Sequence, residues 1–178
     1  LLSMGDACGE PFLERAIALD ERNTPAACEA GIQFWMGKSE HDRAQRWLRT
    51  SDAWEGRVRT AIRERERITK EDQFIVSSAN PEVLQELIES IAAHPKVQSA
   101  WLAKKVLFEF PDQELHILGV TFKRFLGLAH GEEKAMEELA QSLVFPTDLR
   151  LFHLNEPEVR WMRKRFGTQP TWLIYTAS

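Results

Sequence analysis

Cysteine is scarce in this chain of 178 residues, which has only Cys8 and Cys28. Two thiols exclude a disulfide framework and a cysteine-rich zinc site, and they suit a reducing compartment. Long apolar runs are lacking too: none approaches the roughly 18 residues that a bilayer span requires. No charged stretch followed by an apolar one reads as a signal peptide. An excess of basic charge is also missing. The 23 Lys and Arg against 27 Asp and Glu give a net charge of −4, so there is no general attraction to nucleic acid or to an anionic membrane. A P-loop, a GxGxxG fingerprint, a GxSxG elbow and an HExxH helix are all absent. The sequence nominates no catalytic residue, no cofactor-binding residue, no cofactor and no metal ligand.

The histidines invite a metal reading and do not sustain it. His41, His94, His116, His130 and His153 are scattered, with no two spaced four apart as on a zinc-binding helix. Gly127 and Gly131 flank a short loop that is too little for a phosphate cradle. What the chain does have is ordinary globular stock. With 43% hydrophobic and 28% charged residues it can build a packed core, in one domain or two small ones.

The first part is helical in period. Pro11 opens PFLERAIALDE, with Leu13, Ala16 and Ile17 at helical spacing. Thr24 is the expected N-cap of a second helix, PAACEAGIQFWMG, with Pro25 at its first position and Gly37 as its C-cap. Ser39 is the expected N-cap of a third helix carrying Ala44, Trp47 and Leu48, and a fourth is expected from Ser51 to Thr69. Short turns between them imply antiparallel hairpins. The expected course of Cys8 and Cys28 is as buried packing thiols, and of Trp35, Trp47 and Trp54 as staples between helices.

After residue 72 the pattern changes. Asn80-Pro81 opens PEVLQELIESIAAHP, and the expected strands lie at 98–109, 115–123, 149–154 and 171–175, with helices at 131–144 and 157–166. The expected class is therefore α+β, with helices over 1–72 and a small mixed-sheet domain over 73–178 in the order α-β-β-α-β-α-β. The boundary belongs between residues 70 and 80.

Two charge features stand out. Arg43, Arg46, Arg49, Arg57, Arg59, Arg63, Arg65 and Arg67 run through a helical stretch, but the alternation Arg63-Glu64-Arg65-Glu66-Arg67 reads as a solvated face with pairs three and four apart. Arg160, Arg163, Lys164 and Arg165 form a second basic group, with Trp161, Met162 and Phe166 turned to the core. In the expected hairpin VQSAWLAKKVLFEFPDQELHILGVTF, Lys104 and Lys105 interrupt both faces of the first strand at one level. A bulge, or a strand that outruns its neighbours, accounts for them without a ligand.

The helical part resembles tetratricopeptide repeats. Met4-Gly5-Asp6 precedes FLERAIALDERN, in which Ala16 and Leu19-Asp20 match a repeat's second helix, and a looser cycle runs from Pro25 to Trp47. The chain, starting LLSMGD, reads as a piece of a longer protein with more repeat upstream. The junction RERERITKEDQF, then PEVLQELIESIAAHPKV and SAWLAKKVLFEFPDQELHILGV, resembles the C-terminal cytosolic region of bacterial membrane zinc peptidases of the CAAX prenyl protease-type superfamily. HPKVQSAWLAKK with ELHILGVTF is similar, over a shorter stretch, to the C-terminal domain of enhanced-serine-sensitivity-type proteins.

The resemblance implies a fragment without catalysis of its own: an accessory or protein-interaction region of a larger membrane-associated zinc metallopeptidase, on the cytoplasmic side. The peptidase domain would lie upstream, and none of its residues carries over onto this sequence. A protein or peptide partner would bind the helical repeats, without nucleic acid and without membrane insertion, in a monomer or homodimer. The competing expectation is an independent small-ligand-binding or regulatory α+β module.

Overall fold

The computed structural model describes residues 7–123 and 130–177. The repeat turn at 4–6 and the Gly127 loop lie outside them. The chain divides into two compact units, one ending at Arg63 and the other beginning at Glu64. The described residues form six α-helices and a mixed sheet of five strands, an α+β protein. No helix among them is long and apolar enough to cross a membrane.

In the first unit α1 (Glu10–Leu19) and α2 (Thr24–Gly37) are followed by α3 (His41–Glu66). The third and fourth helices of the sequence reading are thus one. Ser51 and Asp52 are polar but are not breakers, and no proline interrupts the stretch. Thr50 even donates back to the Arg46 carbonyl, as hydroxyls within a helix do. Thr24 is not a side-chain cap: its hydroxyl donates to the Glu21 carbonyl at 2.5 Å. Ser39 does not cap α3 either. It follows α2 at φ 59, and the Ser39 N–H to Met36 and Glu40 N–H to Trp35 bonds close the helix end in a Schellman pattern.

The core of this unit is Ala27, Cys28, Trp35, Ala44 and Trp47. Gly31 allows the contact, since a Cβ there would lie 2.6 Å from the Trp47 ring. One carboxylate oxygen, Glu10 Oε1, accepts both indole N–H groups, from Trp47 at 2.9 Å and Trp35 at 3.3 Å. Tryptophan buries a large apolar area only when its N–H has a partner, and Glu10 provides one for both. Cys28 is buried and burial pushes its thiol pKa up, whereas Cys8 is exposed, against the expectation for it.

The second unit opens with a strand that the sequence reading lacked, β1 (Phe74–Val76). Then come α4 (Pro81–Ala92), β2 (Val97–Lys105), β3 (Leu115–Phe122), α5 (His130–Ser142), β4 (Asp148–His153), α6 (Arg160–Gly167) and β5 (Leu173–Thr176). Asn80 caps α4, accepting from the Glu82 N–H at 3.0 Å. β3 lies between β2, antiparallel, and β4, parallel, while β1 and β5 both pair with β2 along different parts of its length.

Side chains alternate between two cores. Leu102, Leu118, Val120 and Phe122 pack with Leu87 and Ile91 of α4 and Leu139 of α5. Ala103, Leu115 and Ile117 pack with Met162 and Phe166 of α6, with Trp172 and with Phe74. Because helices cover both sides, every residue of β3 is buried.

Candidate functional site

The lysine pair is a place to look for chemistry, and its geometry differs from the expectation. Lys104 pairs with Ile75 on one side and His116 on the other, and Lys105 with Phe74 and Leu115. The strand does not outrun its neighbours there, and its irregularities lie at Val97/Ser99 and Ala100/Trp101 instead. A reading of β2 alone could not include β1, three residues long and about thirty positions away in the sequence.

Lys105 is 3% exposed. Its ammonium lies 2.8 Å from Asp72 Oδ2 and donates to the carbonyls of Glu64 at 2.6 Å and Arg67 at 2.8 Å. An ammonium has three protons and no lone pair, so this set of acceptors satisfies it completely. The role is structural: Lys105 ties residues 64–72 to the sheet.

Lys104 lies 2.5 Å from Glu114 Oε1, which also accepts from the Ser78 hydroxyl at 2.7 Å. The Lys104 and Ser78 donors hold the Glu114 carboxyl below its ordinary pKa, with Lys104 the larger cause. Lys104 also donates to Ser78 Oγ at 3.4 Å. Serine and lysine are neighbours here, but the hydroxyl proton points to the carboxylate and not to an amine lone pair, so the arrangement is an ion pair and not a nucleophile with its base. His116, buried on the same face, has Nδ1 3.0 Å from Thr147 Oγ1 and, among the described residues, no hydrogen-bond partner for Nε2. Burial holds its pKa below the ordinary histidine value.

A cleft of about 1180 Å³ lies beyond β4, between the residues following His153 and helix α6. Outside the carboxyl ends of strands is where open α/β sheets receive ligands. Arg160, Arg163, Lys164 and Gly167 recur at the spacing of one helix face and line it, with Trp161 and Lys70. Met162 and Phe166, on the opposite face, enter the core. The Lys70, Arg160, Arg163 and Lys164 side chains have no ion pair or hydrogen bond with any described residue. Arg165, grouped with them in the sequence, is separate: it donates to the Asp72 and Lys70 carbonyls at 2.8 and 3.1 Å and stacks on Phe74.

A smaller pocket of about 420 Å³ adjoins it, lined by Glu132, Glu133, Glu137, Glu156 and His153. His153 is buried, with Nε2 3.3 Å from Glu132 Oε2 but out of hydrogen-bond alignment, and Nδ1 3.4 Å from Glu156 Oε1. Among the described residues no cluster of three or more His, Cys, Asp or Glu has the form of a metal site. His94 lies 2.8 Å from the Ser142 hydroxyl, and His41 is exposed. The side chain of His130 lies outside the described part.

The helical unit has a different kind of surface. Phe12 and Leu19 of α1 are 61% and 78% exposed, and a separation of seven places them on one face. The arginines of α3 are engaged differently from the expectation. Arg46 pairs with Glu14 and Arg57 with Glu21 at 2.7 Å, both across elements, and Arg59 with Glu55 is the pair four apart.

Sequence reasoning grouped the α6 cations without their cleft. The spacing of 160, 163, 164 and 167 was the available signal; Lys70, ninety residues earlier, had none. In comparisons with known proteins, no family model, no curated protein and no solved structure matches this chain.

Proposed function

We propose that the chain is a non-catalytic protein-interaction region, the accessory part of a larger membrane-associated zinc metallopeptidase on the cytoplasmic side. Its tetratricopeptide-like helical unit carries the partner surface. The observation that supports this is the exposed pair Phe12 and Leu19 on one face of α1. Two apolar side chains two turns apart are how one helix receives another, through anchors spaced seven apart. Repeat-like helices bury such faces against a neighbour. The occupant is the apolar face of an amphipathic partner helix.

The lysine clusters support the same reading from the other side. Lys105 is saturated by internal acceptors and Lys104 is closed onto Glu114, so both serve the fold.

A displayed library of amphipathic helical peptides, panned on the immobilised chain, tests the surface. Selected binders are expected to lose capture on F12E/L19E, with the circular dichroism spectrum unchanged. An empty selection, or binders indifferent to the double substitution, overturns the reading. The context has its own check, because the parent reading frame is expected to encode transmembrane segments and an HExxH helix upstream.

A further inference from the structure

The cleft beside α6 has a chemistry that the partner surface does not use. Four cations converge on it, Lys70 from the segment before β1 and Arg160, Arg163 and Lys164 from one face of α6. Three other basic side chains of the same unit are engaged by carboxylates: Lys105 with Asp72, Lys104 with Glu114, and Arg65 with Asp148 at 2.5 Å. The four at the cleft have no carboxylate within ion-pair distance among the described residues, although Glu156 and Glu158 also line it. Like charges held around one concave surface repel one another, and an anion between them relieves that repulsion.

We infer that this cleft binds a compact phosphorylated small molecule, its phosphates against Arg160, Arg163, Lys164 and Lys70 and its ring or apolar body against Trp161. Two arginines supply planar donor forks suited to phosphate oxygens, and the lysines add point charge. Trp161 is half-buried in the lining and offers an indole to a flat group. At Gly167 an added Cβ would meet nothing within 4 Å, so the C-terminal end of the α6 face stays open.

The surroundings select for small size. The adjoining pocket is acidic, with Glu132, Glu133, Glu137 and Glu156, and the whole chain carries −4. An extended polyanion such as nucleic acid, or an anionic membrane surface, would meet these carboxylates as well as the cations. A ligand confined to the cleft would not.

The test is titration calorimetry of the whole chain with inorganic pyrophosphate and, separately, with ATP, at low ionic strength. Two charge-reversed variants accompany it: R163E/K164E in the cleft and R59E/R63E, the same change of net charge, on α3. The expected result is saturable binding of both probes, with ATP the tighter, weakened about tenfold or more by R163E/K164E and unaltered by R59E/R63E. Melting temperatures of all three proteins without ligand verify that the exposed substitutions leave the fold intact. No saturable heat with either probe overturns the proposal, as does equal weakening by the two variants, which would mean bulk charge. A single-stranded oligonucleotide or anionic vesicles binding more tightly than ATP, with the same loss on R163E/K164E, overturns the small-molecule assignment.

Discussion

Lys105 and Asp72 meet at 2.8 Å within the second unit, the lysine 3% exposed and the aspartate side chain 18%. Removing one partner of such a pair leaves a buried charge uncompensated, which costs more than the intact pair contributes. D72A is expected to lower stability by about 3 kcal/mol in urea unfolding. K105M/D72A, with no stranded ammonium, should recover at least about 1 kcal/mol of that loss. A D72A midpoint equal to that of the parent would contradict the structural role of the pair.

Ser39 occupies a left-handed conformation, φ 59, at the end of α2. A Cβ is strained there and glycine is not. S39G should raise stability by about 0.5–1 kcal/mol, and S39V should lower it. Thermal melts of the two variants are expected to move in opposite directions, and movement in the same direction would refute the Schellman closure.

His116 is buried with its pKa depressed, chiefly by burial. The unfolded chain takes up a proton near pH 6.5, before the folded one does. The histidine's contribution is therefore full above about pH 6.5 and declines as pH falls from there toward the folded pKa. The stability difference between the parent and H116L should be constant from pH 8 to 7 and shift against the parent below about 6.5. Glu114 titrates at lower pH, because Lys104 and Ser78 depress its pKa, and its stabilisation is lost only as pH falls through that lowered value. A difference that does not vary down to pH 5.5 would exclude the buried, neutral imidazole.

The two thiols differ in reach and in acidity. Cys8 is exposed, while Cys28 is buried with its thiol pKa raised by burial. Since the thiolate is the reactive form, iodoacetamide should modify Cys8 at least about a hundredfold faster under native conditions, and the two should converge in urea. Mass spectrometry of tryptic peptides reads both sites, and native rates that match would mean that α2 is not packed as described.

How much of this was legible depended on the range of the cause. Local signals served well: Asn80-Pro81 does start α4, and Leu115 and Ile117 do face away from Leu118, Val120 and Phe122. The break expected before Ser51 does not occur, because neither Ser51 nor Asp52 stops a helix and no proline interrupts His41–Glu66. β1 was missed because three residues carry no period; its place comes from pairing with Ala103, Lys104 and Lys105. The same distance effect separates Arg165 from Arg163. They are neighbours in sequence, yet one is bound to the Asp72 carbonyl and the other lines the cleft. A local pattern shows which residues share a helix face; whether that face meets a core, a carbonyl or open space is decided by segments far along the chain.

The claim that the helical unit receives a partner helix is tested most directly by calorimetric titration of the best selected peptide into the parent chain, F12E/L19E and R163E/K164E. Micromolar binding to the parent is expected, weakened about tenfold or more by F12E/L19E and unchanged by R163E/K164E. Equal affinity for the parent and F12E/L19E would contradict it.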